Sequence, residues 1–491
     1  MKIALDSGRA PVSLYIFKWV FLAYIAVLPI AGTIALRNLL LLTLVVFSFI
    51  WALSYKSILT KPGLQKIEAP IAYWLFFIYL LIFPFISQDA DVAFTNLRSQ
   101  WGPAVLAWFV GIAAGHLLSV NQLGVRMIIV ASSFLVIIHL LEVALAWSGL
   151  LGTHVQIDMT WGEMWSGFQS IFINGYHWPP EGGIPWKFRG FDDMHGNVGN
   201  AGLQAIALIT AFHFTNKANR PRAEYFIPVA LIFTSFFISG SRGSVGFGLA
   251  LVAIAVFILK RDQSLASQAL TQKKSAYLVM GGLVAMICFA ASIPQGSNWD
   301  IAALAKKFEM ASSIQDPLHF ICTGEDKAEL LHENTNPRAH SPEVTNEAIG
   351  GDGARLLLMR AGLQLVLQNP LGLDGSRQSY QKLITAYCSH PPRVQYAHAH
   401  QGWINMALGL GWAGAALYFF MLVETLLKSF RQFSSAENNR HPVTASLVLL
   451  SLFWIMRGFL DAVYQDHFLQ MQGVLLGFLY AQSRKIQFKF I

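Results

Sequence analysis

The stretch Phe236–Gly248 reads FFISGSRGSVGFG and joins two apolar runs, 226–240 and 243–259, with almost no loop. A charge at membrane depth costs about 2.5–3.5 kcal/mol on insertion scales, so Arg242 needs a reason to stand there. Gly240 and Gly243 let the backbone turn tightly, and Ser239, Ser241 and Ser244 surround the turn with hydroxyls. The second run starts a helix at this point, so its free N–H groups point at the same spot. Arginine beside a helix N-terminus makes a receptor for phosphate. The plainer reading is an interfacial arginine that snorkels.

The pattern repeats along the chain. Of 491 residues, 54% are hydrophobic and 13% charged, with mean hydropathy +0.47. Soluble chains carry about 25% charged residues. Twelve apolar blocks fall near 15–36, 38–54, 70–86, 101–118, 123–148, 197–215, 226–240, 243–259, 276–293, 401–427, 441–463 and 468–483. The expectation is an all-α polytopic membrane protein of about twelve spans, the first kept as an anchor and not a signal peptide.

Lys and Arg in short loops mark the cytoplasmic side. With the N-terminus inside, the inner loops hold Lys56, Lys61, Lys66, Lys217, Arg220, Arg222, Lys260, Arg261, Lys273, Lys274, Lys428, Arg431 and Arg440, and the C-terminal tail holds Arg484, Lys485 and Lys489. Few acids accompany them. Both termini are therefore expected in the cytoplasm, and the net charge of +8 is a topology signal, not a nucleic-acid patch.

Three parts follow: spans 1–9 over residues 1–293, with an aromatic outer loop at 149–196; a large outer loop domain at 294–400; and spans 10–12 over 401–491. The aromatic loop contains Trp161, Trp165, Phe168, Phe172, Tyr176, Trp178 and Arg189. It suits an amphipathic segment lying on the membrane surface, and its rings suit sugar stacking equally. In the large loop, DGARLLLMRAGLQLVLQNPLG reads as a helix carrying Arg355 and Arg360 and ending at Asn369-Pro370. Cys322 and Cys388 share this loop; an oxidising compartment permits a disulfide, and two free thiols are the alternative. Cys288 falls in a span as inert packing.

Where the loop meets span ten the sequence reads HAHQGWINMALGLGWAG, His398 to Gly414. An imidazole can take a proton from a hydroxyl. Two histidines at i, i+2 on a helix point about 200° apart, so the helix is expected to begin near His400. Arg457 and Asp461 have the spacing of an intrahelical ion pair. No Cys/His cluster has metal-ligand spacing, and no P-loop or dinucleotide fingerprint is present.

SGSRG opening a helix, Arg355 ahead of NPLG, and HAHQGWINMALGLGWAG leading into a span follow one another in a recognisable order. The chain resembles the O-antigen ligase and polymerase superfamily of bacterial envelope glycosyltransferases, best over 226–481. The resemblance implies a GT-C-like membrane fold in the inner membrane with the site facing the periplasm. It implies transfer of a glycan from an undecaprenyl-diphosphate-linked O-antigen donor to a lipid A–core acceptor, with no metal or other cofactor. Arg242, Arg355 and His400 match the family's catalytic positions; Gln401 stands where relatives usually have Asn. His398, Arg360, Arg189, Asp461, Ser241 and Gln401 complete the expected substrate-binding set, and membrane lipids are the other partners. The alternatives are an O-antigen polymerase, a protein O-oligosaccharyltransferase and, from another class, a transporter or flippase, which would call for internal repeats.

Overall fold

A computed structural model of the chain describes residues 12–54, 70–118, 125–150, 159–179, 188–189, 195–215, 223–260, 301–324, 352–388, 391–393, 398–435, 442–459, 464 and 466–487. Every regular element among them is helical. The first part comprises α1 (Val12–Val27), α2 (Ile34–Ser54), α3 (Ile71–Ile86), α4 (Ala90–Asn96), a π-helical turn (Leu97–Trp101), α5 (Gly102–Leu117), α6 (Val125–Ser132), α7 (Phe134–Trp147), α8 (Trp161–Asn174), α9 (His195–Thr215), α10 (Ala223–Ile238) and α11 (Arg242–Lys260). The outer loop contributes α12 (Ile301–Ser313), α13 (Pro317–Thr323), α14 (Asp352–Gln368) and α15 (Ser379–Tyr387). The last part is α16 (Gly402–Ser435), α17 (Pro442–Gly458) and α18 (Asp466–Gln487).

Helices fall on eleven of the twelve apolar blocks; the block 276–293 lies outside the described residues. Two differ in detail. The break after the first block falls at Leu28–Thr33, inside the expected 15–36, because Pro29 and Gly32 (φ 74°) stop α1 within a run that is otherwise apolar. The block 123–148 is the pair α6 and α7, bent by 59°. Ile34–Leu53 and Gly402–Ser434 are each long and apolar enough to cross a membrane, and the bent pair makes a third if it is one broken span. α1, α3, α10, α11 and α17 are apolar but shorter.

The core is apolar, and so are large parts of the outer surface. Ile34, Leu39, Leu42, Phe49 and Phe85 are each at least 60% exposed, whereas Gln470, Gln472 and Gln482 are buried. Each of these glutamines makes an interhelical bond: Gln470 accepts from the Tyr24 hydroxyl at 2.9 Å, Gln472 accepts from the Tyr418 hydroxyl, and Gln482 donates to the Gly115 carbonyl at 2.7 Å. Apolar faces outside, with polar groups turned inward and bonded between helices, suit a lipid solvent. α5 and α18 pack through two facing small-residue motifs, Gly111/Gly115 and Gly473/Gly477. A Cβ on Gly111 would strike the Val474 carbonyl, and one on Gly473 would lie 2.9 Å from the Ala104 carbonyl oxygen. Helices approach this closely only where both sides lack side chains.

α16 is not one straight span. Gly411 (φ 75°, ψ 174°) breaks it, and the segment after α14 docks in the break. The N–H groups of Leu373 and Gly375 donate to the carbonyls of Leu408 and Gly409, both at 2.9 Å, while Trp412 N–H donates to the Pro370 carbonyl at 3.0 Å. Gly372 (φ 78°) lies against the Gly411 backbone, where a Cβ on either would collide with the other strand. The NPLG sequence is thus a strap that replaces the backbone bonds the break removes.

The outer helices are tied together as well. Cys322 and Cys388 form a disulfide that joins the end of α13 to the residue after α15. Asp374 accepts from the Ser376 N–H at 2.9 Å and the Ser379 hydroxyl at 2.9 Å, and pairs with Lys382.

Candidate active site

The turn between α10 and α11 is built by its sequence. Gly240 (φ 70°) ends α10, with its own N–H on the Phe237 carbonyl and the Ser241 N–H on the Phe236 carbonyl, the Schellman arrangement. Ser241 then opens α11: its carbonyl accepts from Val245 N–H at 3.2 Å, and its Oγ lies 2.7 Å from Ser244 Oγ. Arg242 is the first residue of α11, and the placement of its side chain lies outside the described structure.

Two other elements close on this turn. Gly199, in the second turn of α9, sits against Ser244 and Ser241, where a Cβ would collide with the Ser244 hydroxyl. Arg457, at the end of α17, is 5% exposed. Its Nε donates to Asn200 Oδ1 at 2.9 Å, its guanidinium lies 5.6 Å from the Phe247 ring centre, and its Nη1 would be 3.4 Å from a Cβ on Gly243. The starts of α9 and α11 therefore meet beside a buried arginine. Helix N-termini and guanidinium are all positive, a combination that favours an anion. The expected ion pair of Arg457 with Asp461 cannot be followed, since Asp461 lies outside the described residues. What spacing did not disclose is the contact with Asn200, which is 257 residues away in sequence.

The histidines come together by a different route from a helix face. His400 has φ 52°, the one positive φ of a non-glycine residue among the described residues. α16 starts only at Gly402, and the rings of His398 and His400 lie 4.3 Å apart, inclined at 59°. Ala399 between them is fully buried, its N–H donating to Asn405 Oδ1 at 3.0 Å, and its Cβ lies against Gly362 of α14. The Gln401 side chain accepts from Ile404 N–H and caps α16. Gln401 and Asn405 thus hold the turn on which both imidazoles ride.

α14 begins and ends as expected, stopping at Gln368 before Asn369-Pro370. Arg355 is exposed on α14, about two turns before Gly362 and so on the same face as the residue that meets the histidine segment. Arg360 has another engagement: its Nη1 donates to the carbonyls of Ala311 and Ser312, at 2.8 and 3.1 Å, at the C-terminus of α12. Arg189 is described together with Phe188, whose N–H donates to the Ile238 carbonyl at 3.0 Å, next to the serine turn. Trp403 links the two halves of the site. Its ring lies 6.1 Å from Phe459, which follows Arg457 by two residues, and 4.6 Å from Tyr464. The histidine turn and the serine–arginine turn therefore share one end of the helical bundle.

Outside this cluster, α8 begins with a capping box between Thr160 and Glu163 and buries none of its side chains. Trp165, Phe168 and Phe172 run along it in ring contact at 5.8 and 5.3 Å. Among the described residues no group of three or more His, Cys, Asp or Glu is placed to hold a metal ion.

Apolar helix faces on the outside, with histidines and arginines gathered at one end of the bundle, are the features of a helical membrane protein. Residues 227–419 match the family model described as O-antigen ligase. That segment carries the domain of the O-antigen ligase and polymerase superfamily, and it spans the serine–arginine turn, α14, the disulfide, the strap and the histidine pair. No curated protein matches the chain. Arg457, Arg189 and Asn200 lie outside the matched segment but border its site.

Proposed function

We propose that the protein is an O-antigen ligase that transfers a glycan from undecaprenyl diphosphate to a sugar hydroxyl of lipid A–core. It does so in a bundle of about twelve spans with both termini in the cytoplasm and residues 294–400 in the periplasm. The observation that carries the reading is His400, held in a left-handed conformation beside His398 at the end of the bundle where two helix N-termini and Arg457 converge. Strained non-glycine backbone of this kind costs about 1–3 kcal/mol and clusters at active sites. The Cys322–Cys388 disulfide supports the outer placement of this end, because such bonds persist in oxidising compartments.

In this mechanism Arg242 and Arg355 clamp the diphosphate, with Arg189 and Ser241 assisting, and stabilise the charge that develops as it leaves. His400 takes the proton of the acceptor hydroxyl. The freed oxygen forms a bond to the anomeric carbon as the carbon–oxygen bond to the diphosphate breaks, with inversion. His398 and Gln401 hold the base in place. The chemistry asks for no metal, since arginines carry the leaving charge.

The test is transfer by the purified protein from undecaprenyl-diphosphate glycan to lipid A–core, scored as capped lipopolysaccharide. His400→Ala should lower the rate roughly 10²–10⁴-fold, the usual worth of a general base, while donor binding persists. Growth of polymer on the carrier lipid, with no capped product, would make the protein a polymerase. Wild-type transfer by His400→Ala would remove the histidine from its role.

A further inference from the structure

His139 is fully buried in α7, far from the histidine turn in sequence, and the mechanism above gives it no task. Both of its ring nitrogens are engaged: Nδ1 lies 2.7 Å from Ser235 Oγ on α10, and Nε2 lies 3.1 Å from the Phe188 carbonyl oxygen. A carbonyl can only accept, so the proton is on Nε2, and in the neutral ring Nδ1 accepts from the Ser235 hydroxyl. The bond therefore leads from α10 through the imidazole to the backbone of a segment that is not helical.

That segment is held at both of its peptide groups. Phe188 N–H donates to the Ile238 carbonyl at 3.0 Å while its carbonyl takes the His139 proton. Its ring is fully buried, in a cluster with Val143, Ala146, Met159 and Ile238, and is nearly parallel to His139 at 16°. Ile238 is the last residue of α10, directly before the turn that carries Ser241 and Arg242. The residue that follows Phe188 is Arg189. An irregular backbone carbonyl inside an apolar bundle needs a donor, and an apolar residue at 139 would fill the space without supplying one.

We infer that His139 is a positioning residue: through Phe188 it fixes Arg189 beside the serine–arginine turn, where Arg189 meets the diphosphate of the donor. The inference rests on the reading of Arg189 as a donor-binding residue given under Proposed function. The Phe188 carbonyl sets the tautomer, Ser235 donates to the other ring nitrogen, and Phe188 is the anchor that converts one hydrogen bond into the placement of the next side chain.

The test has a structural and a kinetic arm, run on the full chain in lipid nanodiscs. Amide hydrogen exchange at Phe188 should be slow in the wild type, faster in His139→Leu, and slow again in His139→Gln, whose amide can donate to the same carbonyl. Ser235→Ala, a smaller change, should give partial loosening and guards against a His139→Leu variant that fails to fold. In transfer assays His139→Leu should raise the KM for the lipid-linked donor about tenfold, the worth of one hydrogen bond, and leave the acceptor KM unchanged. In an Arg189→Ala background the same substitution should add nothing further. Unchanged exchange at Phe188 would overturn the inference, and so would a kinetic loss that adds in full to that of Arg189→Ala. An Arg189→Ala protein with a wild-type donor KM would instead overturn the reading of Arg189 itself.

Discussion

At the scale of single residues, His400 trades backbone comfort for ring position. Its φ of 52° is one that glycine adopts freely and a side chain resists by about 1–2 kcal/mol. His400→Gly should therefore give a melting temperature no lower than wild type while transfer is lost, a separation of stability from activity that a packing residue would not show. Arg457 makes the opposite case, since its partner can be named. Its Nε bond to Asn200 is charge-assisted, a class worth about 1.5–3 kcal/mol. Lysine keeps the charge but not the planar donor. Arg457→Lys is expected to lower kcat/KM for the donor roughly 10–100-fold, and Asn200→Ala in that background to cost little more. Equal and additive losses in a double-mutant cycle would separate the two residues.

Among the elements, the broken helix α16 and its strap depend on two glycines. Gly411→Ala would force an L-residue to positive φ and place a Cβ 2.6 Å from the Leu371 backbone. Strain and overpacking together should destabilise by about 2–4 kcal/mol. Gly246 on α11 has open space around its Cβ position, so Gly246→Ala should be neutral or stabilise by about 0.5–1 kcal/mol. Thermal unfolding of the two variants side by side checks the contrast. The strap also carries Asp374. Burial pushes its carboxyl up, but the Lys382 ammonium and the Ser376 and Ser379 donors outweigh this and leave it below the ordinary aspartate value. A depressed folded pKa adds stability that is complete above the ordinary value near about 3.9 and is lost as pH falls through the folded one. The excess stability of wild type over Asp374→Asn should thus be constant at neutral pH and fade below about pH 4.

For the molecule as a whole, the disulfide closes a loop whose ends are 66 residues apart, which in the chain-entropy model is worth about 4 kcal/mol. Cys322→Ser/Cys388→Ser should lower the melting temperature and speed proteolysis within 301–393, with α5 and α18 still packed. This whole was partly legible in the sequence. The described apolar blocks, the end of α14 at Asn369-Pro370 and the tight turn at Gly240 each depend on neighbours a few residues away, and each is found near where it was expected, with the first block broken at Leu28–Thr33 and the fifth bent. The break at Gly411 was not legible, because NMALGLGWAG reads as a continuous apolar span and the groups that repair it come from Pro370–Gly375. The helix was expected to begin near His400 and begins at Gly402; the positive φ of His400 that brings its ring to His398 was not legible. Gln401 and Asn405 spend their amides on capping, and this leaves His400 outside the helix. The contact of Arg457 with Asn200 was not legible either, because α9 brings Asn200 to it from 257 residues away.

The strap has a consequence for how the chain is made. Residues 370–375 are synthesised before the helix that they mend. While α16 is being inserted, the carbonyls of Leu408 and Gly409 and the N–H of Trp412 have not yet met their partners on Pro370, Leu373 and Gly375. Neither half of α16 can settle until the strap folds back onto it, and the His398–His400 turn is attached to the first half. The end of the bundle that holds the histidine pair is therefore completed last, after both the strap and α16 have been made, so a partly synthesised chain lacks the His398–His400 arrangement.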